Sequence, residues 1–145
     1  MRRELEGGYE LDDDPDRVDI EAVYDYLANE SYWAKGRPRE TVTRLIREAT
    51  RIVGLYHGGA QVGFCRAHTD GVTLAYLADV YVLPEHRGRG LGVALVTEMI
   101  EQAPFADIKW VLHTSDGHGL YRKLGFGQPS FKLMERQARP TPAPS

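Results

Sequence analysis

The sequence predicts an α/β domain built on a mixed, mostly antiparallel central sheet with flanking helices. Two observations carry that expectation. Apolar residues first recur at helical spacing, then shift to alternation and to continuous apolar runs. A long apolar strand then runs directly into a glycine-rich turn that opens an amphipathic helix, which places helix against sheet.

The elements follow in order. A short strand is expected near residues 9–11. Residues 18–30 form a helix, with Ile20, Val23, Tyr24 and Leu27 on one face and Asp16 as its N-cap. Residues 31–38 read as a loop, and Pro38 suits the first turn of a second helix carrying Val42, Leu45, Ile46 and Ala49. Residues 52–57 and 61–68 are strands joined by the tight turn His57-Gly58-Gly59-Ala60. Residues 74–83 form a third strand, apolar on both faces and therefore central. On simple alternation, Leu77, Asp79, Tyr81 and Leu83 share one face of it, and Tyr76, Ala78, Val80 and Val82 the other. A helix over 90–103 stops before Pro104. Residues 107–113 are a strand, 117–124 a short helix closed by Gly125, and 126–134 a last strand. One domain over residues 1–137 and a disordered tail over 138–145 complete the expectation.

Composition narrows the class. A chain of 145 residues with 42% hydrophobic and 27% charged residues can build a core without disulfides or a structural metal. The formal net charge of −3 gives no global footprint for nucleic acid. No apolar run is long enough for a membrane span, and the charged start has no signal-peptide core. Cys65 is the only cysteine and suits a buried strand position; a reducing cytoplasm is the simplest compartment. Five histidines show no metal-ligand spacing, so no metal is expected. Asp12, Asp13, Asp14, Asp16 and Asp19 crowd the start. They read either as a solvated turn and helix N-terminus or as an attractor for a cationic substrate.

The turn Arg87-Gly88-Arg89-Gly90-Leu91-Gly92 carries the chemistry. The first N–H groups of a helix lack internal partners, and the helix dipole is positive there. Glycines let a ligand approach the backbone, and Arg87 and Arg89 add charge. Such a turn suits a diphosphate. A nucleotide-hydrolysing loop would need Gly-x-x-x-x-Gly-Lys-Ser/Thr, which is absent, and a dinucleotide turn would need its third glycine one position later. Coenzyme A remains as a ligand, beside a plain strand-to-helix turn.

The segment Tyr81 to Gly92 resembles the cofactor-binding segment of the GCN5-related N-acetyltransferase family, whose pattern Gln/Arg-x-x-Gly-x-Gly/Ala is met by Arg87, Gly90 and Gly92. A second segment, Gly119-Leu120-Tyr121-Arg122-Lys123-Leu124-Gly125-Phe126, resembles that family as well. The resemblance is strong over residues 52–134 and nearly silent on the acceptor. It implies an acyl-CoA N-acyltransferase fold with a V-shaped cleft, and acetyl-CoA as cofactor. It implies that amides from Arg87 through Gly88, Arg89, Gly90, Leu91, Gly92 and Val93 hold the diphosphate, and that Val80, Tyr81 and Val82 bind the pantetheine arm, with an amide near Val82 polarising the thioester.

The implied reaction is transfer of an acetyl group from acetyl-CoA to a primary amine, on a small molecule or a protein, by direct attack. Asp79 is the only acid on its strand, where the family often places a base; a structural pairing of Asp79 with an arginine or a backbone N–H stands equally. Tyr121 occupies the position of the family's general-acid tyrosine, against the alternative of an aromatic that only packs on the cofactor. The sequence departs from the family at Thr114, where an asparagine is usual, so Asp116 or His118 becomes a candidate for substrate or cofactor contact. Tyr32 and Trp33 lie in the loop that borders the acceptor pocket in the family, or else cap the core. A non-catalytic acyl-CoA sensor or interaction module is the competing function, with acyl transfer to a group other than nitrogen a third. Neither nucleic acid nor membrane is expected as a partner. The sequence is compatible with a homodimer and fixes no interface.

Overall fold

The computed structural model describes residues 1–139, so most of the expected tail lies outside the described residues. Its centre is one six-stranded sheet in the order β1-β2-β3-β4-β5-β6. The strands are β1 (Arg2–Leu5), β2 (Tyr9–Asp12), β3 (Arg51–His57), β4 (Ala60–Thr69), β5 (Leu74–Val82) and β6 (Lys109–Val111). All neighbours pair antiparallel except β5 and β6, which run parallel. Helices α1 (Ile20–Asn29) and α2 (Arg39–Glu48) cover one face and α3 (Leu91–Ile100) the other; α4 (His118–Lys123) follows β6.

The mixed, mostly antiparallel sheet is as the sequence predicts. Several boundaries are not. Strand β1 is unforeseen because its residues, RREL, carry one apolar side chain; it forms by pairing back on β2 through Gly7 and Gly8, both at positive φ. The N-cap of α1 is Asp19, accepting from Ala22 N–H at 3.1 Å, whereas Asp14 caps a preceding short turn of 3-10 helix. The expected strand over 126–134 does not form. Phe126 N–H returns to Tyr121 O, Pro129 lacks an N–H, and Ser130 organises a local turn that leaves Phe131 94% exposed.

The sheet has a core on each side. Leu77, Val80 and Val82 pack with Leu95, Val96 and Met99 of α3. Phe64 and Tyr81 pack with Val23, Tyr26 and Leu27 of α1, and the Tyr26 and Tyr81 rings stack at 4.1 Å. This corrects the simple alternation expected for β5. Phe64 pairs with Tyr81 but Arg66 pairs with Ala78, so Asp79 and Val80 together oppose Cys65 alone. The extra residue is a β-bulge, and Asp79 takes up a left-handed φ of +54° there. The face parity flips at that point: Leu77 shares a core with Val80 and Val82, not with Tyr81.

The crowded N-terminal acids are used locally. Asp12 bonds Arg17 at 3.1 Å, Asp13 bonds Arg51 at 3.0 Å, and Asp14 and Asp19 cap helical turns. Asp12 and Asp13 lie at the end of strand β2, three strands from β5, while Asp19 sits against Gln61 of β4. The solvated-turn reading fits these local bonds.

Candidate active site

Strands β5 and β6 pair only at Leu74–Lys109, Ala75–Trp110 and Tyr76–Val111. Beyond Tyr76 they separate, and the gap is a cleft of about 470 Å³. Its walls are β5 from Tyr76 to Val82, the turn at Gly88, Gly90 and Gly92, the loop carrying Tyr32, Trp33 and Arg37, and the segment from Leu112 to Tyr121. A larger cavity of about 630 Å³ lies between β6 and residues 126–135 and includes none of the turn's glycines. His118 lines that cavity and not the cleft, whereas Asp116 lines the cleft.

The turn is shaped for a ligand. Gly88 and Gly90 sit at φ of +80° and +76°, which glycine alone adopts without strain. Gly92 has no such need, and a Cβ on it would meet only Leu120, at 3.7 Å. No protein atom requires glycine at 92; a ligand lying on the helix tip would. The first helical bond here runs from Ala94 N–H to Gly90 O, so the N–H groups of Leu91, Gly92 and Val93 have no partner within the helix. Arg89 is exposed beside them. Arg87 turns the other way: its Nε donates to Val82 O at 2.8 Å and its Nη2 to Tyr26 Oη at 3.0 Å. Its side chain ties the turn to the end of β5 instead of reaching over the turn.

The β5 backbone offers an open edge. Leu83 N–H donates to Val62 O across β4. By alternation, Val80 and Val82 direct their backbone groups to the side where β6 has withdrawn. These residues can therefore pair with an extended ligand arm, as an added strand would.

Asp79, 6% exposed, lines the cleft beside Trp33, Arg37 and Arg66. Its Oδ1 accepts from Trp33 Nε1 at 2.7 Å, and its Oδ2 accepts from Arg66 Nε at 2.6 Å and Arg37 Nη1 at 2.9 Å. Burial pushes the Asp79 carboxyl up, but the Arg66 charge and hydrogen bond, with Arg37 and Trp33, outweigh it and hold the carboxyl below its ordinary value. A carboxylate held this way is a weak proton acceptor.

Tyr121 lies 9% exposed at the opposite wall. Burial, then the neighbouring Cys65, pushes its phenol well above the ordinary value, so it stays protonated at neutral pH. Among the described residues no group hydrogen-bonds its Oη. Gly117 makes room for the ring: a Cβ there would stand 2.9 Å from Tyr121 Cε2 and 3.0 Å from Thr114 Oγ1. Thr114 accepts from Gly117 N–H at 2.8 Å and so shapes the entry to α4. Gly117→Ala should therefore displace Tyr121 and lower turnover severalfold, while the melting temperature moves by a few degrees at most. A steady-state assay beside a thermal melt checks this.

Tyr32 reaches across the cleft. Its Oη accepts from Ser115 N–H at 3.0 Å and lies 3.4 Å from Asp116 Oδ1. Trp33 is bound to Asp79, so the aromatic pair joins the cleft rather than only capping the core.

Four residues at this end were not singled out in the sequence: Arg37, Arg66, Tyr76 and His113. Tyr76 Oη bonds His113 Nδ1 at 2.5 Å, and His113 Nε2 bonds Glu135 at 2.8 Å. An arginine inside the apolar run QVGFCRAH was the available signal for Arg66. Arg37 and His113 come from loops, where no periodicity marks them, and Tyr76 falls on β5 by alternation with nothing to mark it for the site.

Comparison with known proteins decides the family. The model of the acetyltransferase (GNAT) family matches residues 10–126. The chain belongs to that family. A crystal structure of a GNAT-family acetyltransferase from Xanthomonas campestris pv. campestris superposes with a TM-score of 0.84 at 38% identity, over 90% of this chain and 93% of that one. A Gibberella zeae protein named as an acetyltransferase is 29% identical over 141 residues, covering 82% of this chain and 79% of its own length. A structure from Deinococcus radiodurans, at 20% identity and a TM-score of 0.71, shares the fold. The GNAT chain is thus an acyltransferase enzyme, of a family that generally uses an acyl-CoA. Among the described residues no helix is long and apolar enough to cross a membrane, and no three His, Cys, Asp or Glu side chains cluster as a metal site.

Proposed function

We propose that the protein, with residues 1–137 acting as one domain, transfers an acetyl group from acetyl-CoA to a primary amine by direct attack. The observation that carries this reading is the turn itself. Gly88 and Gly90 are demanded by backbone angle, Gly92 by nothing in the protein, and all three stand at a helix tip with unpaired amides. Amides of Leu91, Gly92 and Val93 would hold the diphosphate, with Arg89 adding charge and Arg87 bracing the turn. Val80, Tyr81 and Val82 would hold the arm, the outward backbone groups of Val80 and the Val82 N–H making the bonds while Val82 O stays with Arg87. When bound, the cofactor supplies an activated acyl group on sulfur.

The chain's own groups then move protons and orient the acceptor. Tyr121, which lines the cleft and is kept protonated by burial, would donate from Oη to a leaving thiolate. Asp79, held by three donors, anchors Arg37, Arg66 and Trp33 and is not the base. His113 is oriented by Glu135 at Nε2 and accepts from the Tyr76 hydroxyl at Nδ1, so the acceptor's proton would pass to Tyr76 Oη as the Tyr76 proton moves to His113 Nδ1.

Tyr121→Phe tests the reading. Turnover should fall about a hundredfold with CoA affinity unchanged, because one acid contributes on that order. Normal turnover in that variant would remove Tyr121 from the mechanism. The competing function, a binding module without turnover, predicts thermal stabilisation by acetyl-CoA with no thiol release for any amine.

A further inference from the structure

Resting on that catalytic reading, we infer that the acceptor carries an oxyanion, a carboxylate or phosphate a few bonds from its amine, seated on Arg37 and Arg66.

The charge at the acceptor end of the cleft does not balance. Arg37 and Arg66 bring two positive charges against the single Asp79 carboxylate, and both bond the same oxygen, Oδ2. Arg66 makes the shorter contact and its Nη1 meets His68 Nε2 at 2.7 Å. Among the described residues, Arg37 Nε and Nη2 and Arg66 Nη2 have no partner. Neither arginine carries a fully buried unpaired nitrogen, and both residues line the cleft. The side chains are only 20% and 10% exposed, so water screens them weakly.

The other charged groups nearby do not close the balance. Asp116 is exposed and sits at Tyr32 Oη. Arg87 faces Val82 and Tyr26 at the far end. Glu135 is engaged with His113. A guanidinium with Nε and one Nη unpaired presents the parallel donor pair that grips a carboxylate or phosphate in two bonds. Tyr32, Trp33, Tyr76 and His113 line the same cleft of about 470 Å³ as the two arginines. A diamine or polycation would instead place charge against Arg37.

Acetylation of matched acceptor pairs tests the inference. Amino carboxylates with the amine at the α, β or γ carbon are paired with their carboxamides, and aminoalkyl phosphates with the amino alcohols. At least one anionic acceptor should exceed its neutral partner in kcat/KM by about ten- to a hundredfold, the worth of a charge-assisted bond or two. Which set does so distinguishes carboxylate from phosphate. Arg37→Gln should collapse that preference to near unity, chiefly through KM, and Arg37→Lys should keep part of it; stabilisation of each variant by CoA confirms that it folds. Neutral partners that match the anionic ones in the wild type, or a preference that survives Arg37→Gln, would overturn the inference. If CoA binds and no amine in either set reacts, the catalytic reading fails on its own. Calorimetry of N-acetylglycine and of inorganic phosphate on the CoA complex then decides: saturable heat lost in Arg37→Gln supports the oxyanion seat, and no heat in the wild type overturns it.

Discussion

Asp79→Ala should destabilise the fold by about 3–5 kcal/mol, the usual cost of removing one partner from a buried ion pair. The carboxylate is 3% exposed in its side chain and holds two guanidiniums and an indole N–H. Without it, Arg66 is left charged in a strand interior. Chemical denaturation of both proteins at neutral pH measures the difference. The milder Asp79→Asn separates anchor from base: the rate falls, but its pH profile keeps its shape if Asp79 is the anchor. The acid dependence has a definite sign. The folded-state carboxyl lies below its unfolded value of about 3.9, so its contribution is fully present above that pH and is lost as pH falls through the lower folded value. The stability gap between wild type and Asp79→Asn should be flat above about pH 5 and shrink below about pH 4.

Gly92→Leu should abolish measurable CoA binding while leaving the protein folded. The position is helical with an ordinary φ, and a Cβ there meets one side chain at 3.7 Å. Leucine also favours a helix over glycine by somewhat under 1 kcal/mol. The melting temperature should therefore hold or rise. A leucine side chain projecting into the cleft would occupy the space where the diphosphate approaches the Leu91, Gly92 and Val93 amides. Differential scanning calorimetry with and without CoA checks both halves. A variant that melts normally and is still stabilised by CoA would mean the ligand does not approach at Gly92.

The parts of the molecule legible in the sequence are those fixed by local pattern. The apolar arcs of α1 and α2, the Gly58-Gly59 hairpin and the turn at Gly88 to Gly92 all announce themselves within a dozen residues. What escaped depends on contacts distant in sequence. The face on which Asp79 lies cannot be read by alternation, because the bulge opposite Cys65 arises only when β4 and β5 are in register. Arg87 matches the motif, yet its side chain is directed by Val82 O and Tyr26 Oη, one of them on α1. The apolar residues Phe131, Leu133 and Met134 suggested a strand, but Pro129 and the Ser130 turn prevent it locally. Arg37 and Arg66 lie 29 positions apart and become one feature only through Asp79.

Titration calorimetry with CoA and with pantetheine, which lacks the diphosphate and nucleotide, addresses the helix-tip site most directly. Saturable heat with CoA, and far weaker binding of pantetheine, is the expected result. No heat with CoA on well-folded protein, or equal affinity for both ligands, would contradict it.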